Sequence, residues 1–318
     1  MRQAERPADA GKRGPRAAAK AATEQLLLSS GITALARRRR RADVLILAYH
    51  NVVPDDTASC GDEPLHLSRS RFAAQLDLLA ETHDVVPLAD ALTGRAGRRD
   101  RPRAVITFDD AYRGALTLGA AELALRRMPA TVFVAPAFVG GAAFWWDRVV
   151  LPPPGEERSA FRTRALEECA GRDAAVRELA LQCGFTEREV PSYARCASEW
   201  ELTESGSSGT FTLGSHSWSH PNLAAVSGSV VREELARPLV WLRGRFMGVL
   251  PVLAYPYGRF SDATVAAARA AGYSAALRND GGWLRRGQTD ALRTPRVDIP
   301  SGLSSAGFAL RAAGLVAV

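Results

Sequence analysis

Short apolar segments alternate with helical patterns along most of this chain, and this alternation limits the fold more than any other feature. Continuous apolar runs bounded by polar residues are typical of strands that are buried on both faces. We predict strands at residues 44–49, 85–86, 104–108, 131–134, 211–215, 252–255, 273–277 and 296–299. Helices are predicted between them, at residues 72–79, 88–92, 116–127, 228–245 and 262–271. This order favours an α/β fold built on a parallel sheet.

Residues 137–209 interrupt the alternation. Two glycines at 140–141 and three prolines at 152–154 bracket the aromatic segment Phe144-Trp145-Trp146-Asp147, and helical patterns follow at 156–183. We interpret this stretch as a helical insertion on the α/β body, which extends over residues 44–318, and not as an independent domain.

The positive charge of the chain lies in its first segment. The formal net charge is +7, and residues 1–43 hold eleven of the 41 basic residues and four of the 34 acidic ones. The rest of the chain therefore holds 30 residues of each sign and is neutral. Because the charge belongs to the leader and not to the folded body, it argues against a nucleic-acid-binding protein.

The leader, residues 1–43, has the composition of a solvated basic tail. Residues 1–22 are polar and rich in Ala, Arg and Pro, which predicts disorder, and a short amphipathic helix is predicted at residues 24–36. The apolar segment Leu26-Leu27-Leu28 is too short for a signal peptide, and no apolar run is long enough to span a bilayer. We therefore favour a cytoplasmic location, with export left open. Peripheral contact of the leader with an anionic membrane surface is also left open.

The four cysteines give no sign of a metal or redox motif. They are widely spaced and form no Cys-x-x-Cys pair, which argues against a zinc ribbon and a thioredoxin-like site. We expect free thiols, with one disulfide within residues 169–196 only if the protein is exported.

Two adjacent carboxylates follow one of the predicted strands. The segment Thr107-Phe108-Asp109-Asp110 ends the apolar run that begins at residue 104. Neighbouring strand residues point to opposite faces, so Asp109 and Asp110 share one role only if the strand has ended. Their mutual repulsion would be relieved by a metal ion or by a shared proton. The alternative interpretation is a solvated strand end without chemistry.

Two histidines follow another predicted strand. His216 and His220 are four positions apart, and on a helical turn this spacing brings both imidazoles to one face. Two histidines and one aspartate form a three-ligand set that leaves positions open for water, as in catalytic zinc sites. All these residues fall just after strands, where α/β barrels place their active sites.

Together these segments resemble the polysaccharide deacetylases, the NodB-homology group of carbohydrate esterases. The segment at 107–110 is similar to the first motif of that family, and His216-Ser217-Trp218-Ser219-His220 is similar to its His-Ser/Thr-x-x-His motif. Ala254-Tyr255-Pro256-Tyr257-Gly258 resembles the third motif, Arg-x-Pro-Tyr. Tyr49-His50 and residues 72–79 also resemble the branch that acts on exopolysaccharides. The resemblance covers residues 44–299 and implies a distorted (β/α) barrel with about seven strands.

The resemblance implies metal-dependent removal of acetyl groups from the N-acetylated sugars of a polysaccharide. Asp110, His216 and His220 would hold a divalent metal, for which the nitrogen ligands favour zinc. The metal would polarise the acetyl carbonyl and lower the pKa of water. Asp109 would be the general base, and the backbone N–H of Tyr257 would help to hold the oxyanion.

The sequence departs from the family pattern at three places. Ala254 replaces the motif arginine that orients the base, and we expect Arg296 to take its place from another strand. No histidine follows His220, where the family has its general acid, so His50 is our candidate for that role. An ordinary strand-end histidine is an equal alternative for His50. Ala111 replaces the glycine that commonly follows the two aspartates.

Several aromatic residues are candidates for stacking on sugar rings: Tyr112, Trp145, Trp146 and Trp218. For the pair at 145–146, burial in the core or anchoring of a loop is the more frequent alternative. His66 and His83 are expected at the surface. Three other functions stay open: an O-acetyl esterase, a cyclic amidase on the same scaffold, and a catalytically weakened carbohydrate-binding relative.

Overall fold

The apolar segments pair in parallel to form one large sheet. In the computed structural model, which describes residues 15–57, 60–94, 101–207 and 209–316, the strands have these bounds: β1 Val44–Tyr49, β2 Asn51–Val53, β3 His66–Ser68, β4 Asp84–Val85, β5 Arg103–Phe108, β6 Ala130–Val134, β7 Phe211–Ser215, β8 Val249–Ala254, β9 Ala275–Arg278, β10 Thr294–Pro295 and β11 Val297–Asp298. The main sheet has the order β10-β9-β8-β7-β6-β5-β1-β11, and β4 pairs with the first residues of β5.

The two ends of this sheet meet at a single residue. β10 pairs with β9 at one end and β11 pairs with β1 at the other, and only Arg296 separates β10 from β11 in the chain. The final extended segment therefore pairs with β9 through β10 and with β1 through β11. This double pairing nearly closes the sheet into a barrel. The sheet confirms the predicted distorted (β/α)7-type barrel, if β10 and β11 count as one split strand.

Helices follow the strands and cover the barrel. Their bounds are α1 Pro15–Ser29, α2 Ile32–Arg39, α3 Arg69–Thr82, α4 Leu88–Leu92, α5 Ala120–Arg126, α6 Trp145–Arg148, α7 Glu156–Glu167, α8 Asp173–Gln182, α9 Glu199–Ser207, α10 Gly228–Arg243, α11 Asp262–Ala270 and α12 Ser305–Ala312. One π-helical turn, Ala115–Gly119, leads into α5. In the described part of the chain, no helix is both long and apolar enough to cross a membrane.

The core explains why the strand segments are continuously apolar. Every residue of β1 and of β6 is buried, because helices cover one side of the sheet and barrel side chains fill the other. α3 packs Phe72, Leu76 and Leu79 into this core, on the face that the sequence indicates. The four cysteines are free thiols.

Three local features differ from the sequence-based expectations. Residues 15–22, predicted to be disordered, form part of α1, which packs against α12, a helix that the sequence pattern did not predict. The predicted helix at 24–36 is broken at Gly31, which has a φ of 75°, so α1 and α2 are separate. Residues 51–68, for which the sequence analysis predicts no strand, contain a two-stranded parallel sheet of β2 and β3. The first part of the leader, residues 1–14, lies outside the described residues.

The insertion lies between β6 and β7 and holds α6 to α9. Its loops return to the carboxyl ends of the barrel strands. The backbone N–H of Asn222 donates to the carbonyl of Ala170 at 2.7 Å, and the indole N–H of Trp145 donates to the hydroxyl of Tyr257 at 3.1 Å. These contacts attach the insertion to the same end of the barrel as the residues with predicted chemistry.

His83 is buried, and the expectation that it lies at the surface was wrong. It is 3% exposed at the end of α3, and its Nε2 donates to the carbonyl of Ala312 at 3.1 Å. Burial, assisted by the positive charge of Arg37, lowers the pKa of His83 to about 3. The folded protein therefore holds His83 neutral at pH values where the unfolded chain protonates it.

This burial makes stability depend on pH. Below pH ~6.5 His83 is protonated in the unfolded state, whereas in the folded state it stays neutral until the pH falls to about 3. Because the unfolded state binds more protons between these two pH values, the free energy of unfolding falls as the pH is lowered through this range. We expect the difference in unfolding free energy between wild type and His83→Gln to change by about 2 kcal/mol between pH 7 and pH 5. Urea unfolding at both pH values measures it. An equal difference at the two pH values would contradict the account.

Candidate metal centre and active site

Sharp left-handed turns place both aspartates at the carboxyl end of β5. The strand ends at Phe108, and Asp110 and Ala111 have φ values of 67° and 49°. This conformation is unfavourable for residues with a Cβ atom, which explains why a glycine suits the position of Ala111. Because the strand has ended, Asp109 and Asp110 are not held on opposite faces, and both lie close to His216.

An irregular loop, and not a helical turn, brings the two histidines together. The loop His216–His220 follows β7 and has φ values of 60° at Ser217 and 58° at His220. The Nε2 atoms of His216 and His220 lie 3.1 Å apart. The backbone N–H of His220 donates to the hydroxyl of Ser217 at 3.0 Å, which closes the loop on itself.

Asp110, His216 and His220 form a buried group of three ligand atoms. Asp110 Oδ1 lies 3.6 Å from His216 Nε2 and 3.3 Å from His220 Nε2. The residues are 2%, 2% and 4% exposed. Asp110 Oδ1 has no hydrogen-bond partner although it is buried. A buried carboxylate oxygen without a donor, facing two imidazole nitrogens, fits a divalent cation.

The imidazoles are prepared to act as ligands. His216 Nδ1 donates to the carbonyl of Ala254 at 2.8 Å, so its Nε2 carries the lone pair. Burial lowers the pKa of His216 to about 4 and holds the pKa of His220 well below its usual value. Both rings are therefore neutral near pH 7, the form that binds metals.

The ring of His220 is fixed by aromatic side chains from the insertion and from the loop after β8. Its centroid lies 5.0 Å from that of Trp146, 5.6 Å from that of Phe144 and 4.6 Å from that of Tyr257. Trp145, Trp146 and Tyr112 are 1%, 5% and 0% exposed. Trp145 and Trp146 are therefore core residues, the more frequent alternative for this pair, and Tyr112 is too deeply buried to stack on a sugar. One face of Trp218 is covered by the guanidinium of Arg237, 3.9 Å from the ring centroid.

Asp109 forms a bidentate ion pair with Arg296. Both guanidinium NH₂ groups donate to its carboxylate at 2.7 Å, and one also donates to Thr107 Oγ1 at 3.1 Å. Burial alone would raise the pKa of Asp109, but the charge and the hydrogen bonds of Arg296 outweigh it and hold the pKa well below its usual range. Asp109 is therefore ionised, with its Oδ2 3.9 Å from His216 Nε2.

Negative charge accumulates around Asp110. Burial, followed by the charges of Asp109 and Asp147, raises the pKa of Asp110 far above its usual value. Asp109 is balanced by Arg296, whereas Asp147 accepts hydrogen bonds from the hydroxyl of Tyr112 at 2.5 Å and from His66 Nε2 at 2.9 Å. Without a cation, this environment favours a protonated Asp110, whereas a divalent cation bound there would stabilise the ionised carboxylate.

Asp147 and His66 belong to a hydrogen-bond network beside the site, and the sequence analysis did not assign them to the site. His66, expected at the surface, has a side chain only 6% exposed. Its Nδ1 accepts from the side-chain amide of Asn51 at 3.1 Å, which leaves a proton on Nε2 for Asp147. Trp146 donates to Tyr112 at 2.8 Å and so connects this network with His220. In the sequence, the only indication that Asp147 could belong to the site was its place in the aromatic segment Phe144-Trp145-Trp146-Asp147.

Tyr257 and His50 lie at the edge of the centre. Tyr257 has a φ of 57°, and its hydroxyl donates to the carbonyl of Gly171 at 3.2 Å, away from the ligands. His50 is half-buried and directly follows β1, at the same end of the barrel as Asp109 and His216. Their roles in catalysis stay predictions.

The comparisons with known proteins identify the family of the chain. The polysaccharide deacetylase family model matches residues 96–276, more than half of the chain, and the chain belongs to that family. No curated protein matches the sequence.

Several solved structures share the fold at low sequence identity. The Streptococcus pyogenes deacetylase PplD in complex with acetate is 16% identical with a TM-score of 0.57, and the match covers 83% of this chain and 96% of that one. IcaB from Ammonifex degensii is 21% identical with a TM-score of 0.60 over 86% and 97% of the two chains. A de-N-acetylase from Aggregatibacter actinomycetemcomitans is 14% identical, with a TM-score of 0.60 over 85% and 99%.

The Asp109–Arg296 pair gives a prediction for stability. Arg296→Met would leave a charged carboxylate buried without its partner, and we expect the free energy of unfolding to fall by about 3–5 kcal/mol. Adding Asp109→Asn should recover part of the loss, because the uncompensated charge disappears. Urea unfolding of the metal-free proteins measures both.

The matched control is Arg278→Met, which removes a partly exposed arginine from the neighbouring strand. It should cost much less, since exposed ion pairs contribute little. A double variant that is less stable than Arg296→Met would contradict the charge argument.

Proposed function

We propose that this protein is a metal-dependent N-deacetylase that removes acetyl groups from N-acetylated sugars of a polysaccharide. The observation that carries the proposal is the ligand group of Asp110, His216 and His220 with the ionised carboxylate of Asp109 beside it. Asp109 is bound by Arg296 on both oxygens and is therefore held at the edge of the cation site, where it can accept a proton.

Two nitrogen ligands and one carboxylate favour zinc, with positions left open for water and for substrate. When bound, the cation would polarise an acetyl carbonyl and lower the pKa of water at the site. The residues around it supply orientation: Ala254 fixes His216 through its carbonyl, and Arg296 fixes Asp109.

Asp109 is the proposed general base. Its Oδ2 is the oxygen nearer to the ligands and retains a lone pair beside the bond to Arg296. The ion pair keeps this carboxylate ionised throughout the physiological pH range, but it also weakens the carboxylate as a proton acceptor. Arg296 thus takes the orienting role of the arginine that Ala254 replaces, at some cost in basicity.

His50 is the proposed general acid. It is half-buried and directly follows β1, at the carboxyl end of the barrel strands where Asp109 and the two histidines lie. We also propose that the backbone N–H of Tyr257 helps to hold the oxyanion. The strained backbone at Tyr257 supports a fixed orientation of that peptide group, since strain of this kind clusters at functional sites.

The family and its structural relatives support the substrate class. The chain belongs to the polysaccharide deacetylases, and the similar Streptococcus pyogenes deacetylase was solved with acetate, the product that this reaction releases. The resemblance of Tyr49-His50 to the exopolysaccharide-acting branch supports a polymer of N-acetylated hexosamine.

The substrate is tested by acetate release. Zinc-loaded protein should release acetate from N-acetylglucosamine oligomers, a chelator should abolish the release, and added zinc should restore it. An O-acetylated oligosaccharide serves as the second substrate. Release from the ester alone would replace the proposed N-deacetylase with an O-acetyl esterase, and release from neither would overturn the proposal.

The division of roles is tested by two variants. Asp109→Asn should bind zinc with nearly the wild-type stoichiometry but lose ~10²–10⁴-fold in turnover, because the base is removed and the ligands remain. His220→Gln should lose both zinc and turnover. Metal content and acetate release are measured on the same samples. An Asp109→Asn protein that keeps wild-type turnover would refute the base assignment.

A further inference from the structure

One buried carboxylate outside the ligand set accepts hydrogen bonds from the loop that carries both histidines. Glu234 projects from α10, is 8% exposed, and reaches the middle of the loop His216–His220. Its Oε2 accepts from the backbone N–H of Trp218 at 2.9 Å and of Ser219 at 2.8 Å. Its Oε1 accepts from the hydroxyl of Ser219 at 2.6 Å. Short bonds to an ionised carboxylate are stronger than those between neutral groups.

Trp218 and Ser219, which donate these hydrogen bonds, lie between two residues with strained backbones. Ser217 and His220 both have left-handed backbone conformations, which residues with a Cβ atom adopt only when surrounding contacts impose them. Without a partner, the N–H groups of Trp218 and Ser219 would be left unpaired next to the core, and the loop would lose the contacts that hold it in this conformation. The same loop conformation brings the Nε2 atoms of His216 and His220 to 3.1 Å.

We propose that Glu234 is a positioning residue of the metal centre. It fixes the peptide groups of Trp218 and Ser219, and this sets the distance and direction of the two imidazoles toward Asp110. The proposal rests on the metal site of the proposed function but not on the identity of the substrate. Glu234 does not touch the ligand atoms, so its effect should appear as metal affinity and ligand geometry.

Helix packing alone is the competing explanation. Glu234 lies on the buried face of α10, beside Leu235 and Val231, and a purely structural role would stabilise the fold without altering the cation site. The hydrogen bonds favour positioning, because the three that Glu234 accepts from the described part of the chain all come from the histidine loop.

The chain offers a matched control at the next position. Glu233 lies on the same helix, is 65% exposed at its side chain, and pairs with Arg237 at 3.0 Å. Glu233→Gln therefore removes a carboxylate from the same turn without touching the peptide groups of the histidine loop. Glu234→Gln keeps the shape of the side chain and one acceptor oxygen, whereas Glu234→Ala removes every acceptor.

The experiment measures zinc dissociation constants by competition with a chromophoric chelator, on full-length proteins. We expect zinc to bind ~100-fold more weakly to Glu234→Ala and ~10-fold more weakly to Glu234→Gln, as for other residues that orient metal ligands. Glu233→Gln should match wild type. The Co²⁺ absorption spectrum should change in both Glu234 variants, because it reports ligand geometry. Urea unfolding of the metal-free proteins is measured in parallel.

Wild-type zinc affinity and an unchanged Co²⁺ spectrum in Glu234→Ala would overturn the proposal, even if the metal-free variant were less stable. Glu234→Gln carries the test in the same way if the alanine variant does not fold. Absence of zinc binding in wild type would overturn both this inference and the proposed function. The expected affinities together with no acetate release would overturn the function alone and support the role of Glu234.

Discussion

Buried negative charge is the constraint on which this structure depends. Asp109 and Asp110 are adjacent in the chain and almost fully buried, and Asp147 adds a third carboxylate whose charge reaches Asp110. One guanidinium, that of Arg296, lies among them. Burying a carboxylate without compensation is costly, so the remaining charge calls for a cation or a proton. The two neutral imidazoles beside Asp110 favour the cation.

One residue, Arg296, lies where the barrel closes and also contacts the candidate site. Arg296 is the single residue between β10 and β11, so it stands where the two ends of the sheet meet. Its side chain is 0% exposed and forms both bonds to Asp109 across this junction. Because the barrel closes near the end of the chain, the guanidinium of Arg296 can pair with the carboxylate of Asp109, which follows β5 much earlier in the sequence. This arrangement supplies an arginine to Asp109 although position 254, where the family motif has an arginine, is an alanine.

The insertion completes the site from the outside. Trp146 and Phe144 pack against His220, and Asp147 binds the hydroxyl of Tyr112, two positions after Asp110. Gly61 permits this approach, since a Cβ there would lie 2.1 Å from the carboxylate of Asp147. The helical insertion thus forms part of the wall that holds the ring of His220 in place.

Much of the barrel could be predicted from the sequence, because its strands are continuous apolar runs. The bounds of β1 and β7 were predicted to the residue, and the four-residue spacing of His216 and His220 indicated that their side chains converge. Burial of His66 and His83 could not be read from the sequence, because it depends on distant partners, Asp147 and Ala312.

Other features were hidden for similar reasons. Glu234 is one of two consecutive glutamates on a helix, and only the folded structure shows which of them turns inward. The conformation of the histidine loop was also missed: four-residue spacing indicates a helical turn, whereas the loop reaches the same convergence through two left-handed residues. Spacing alone therefore gives the proximity of two ligands but not the backbone that produces it.

The most direct measurement is anomalous X-ray scattering at the zinc absorption edge from crystals of the zinc-loaded protein. The account predicts one strong peak about 2.0–2.2 Å from Asp110 Oδ1, His216 Nε2 and His220 Nε2, with the carboxylate of Asp109 still paired to Arg296 and outside the coordination sphere. A peak coordinated by Asp109 in place of Asp110, or no peak between the two histidines, would contradict it.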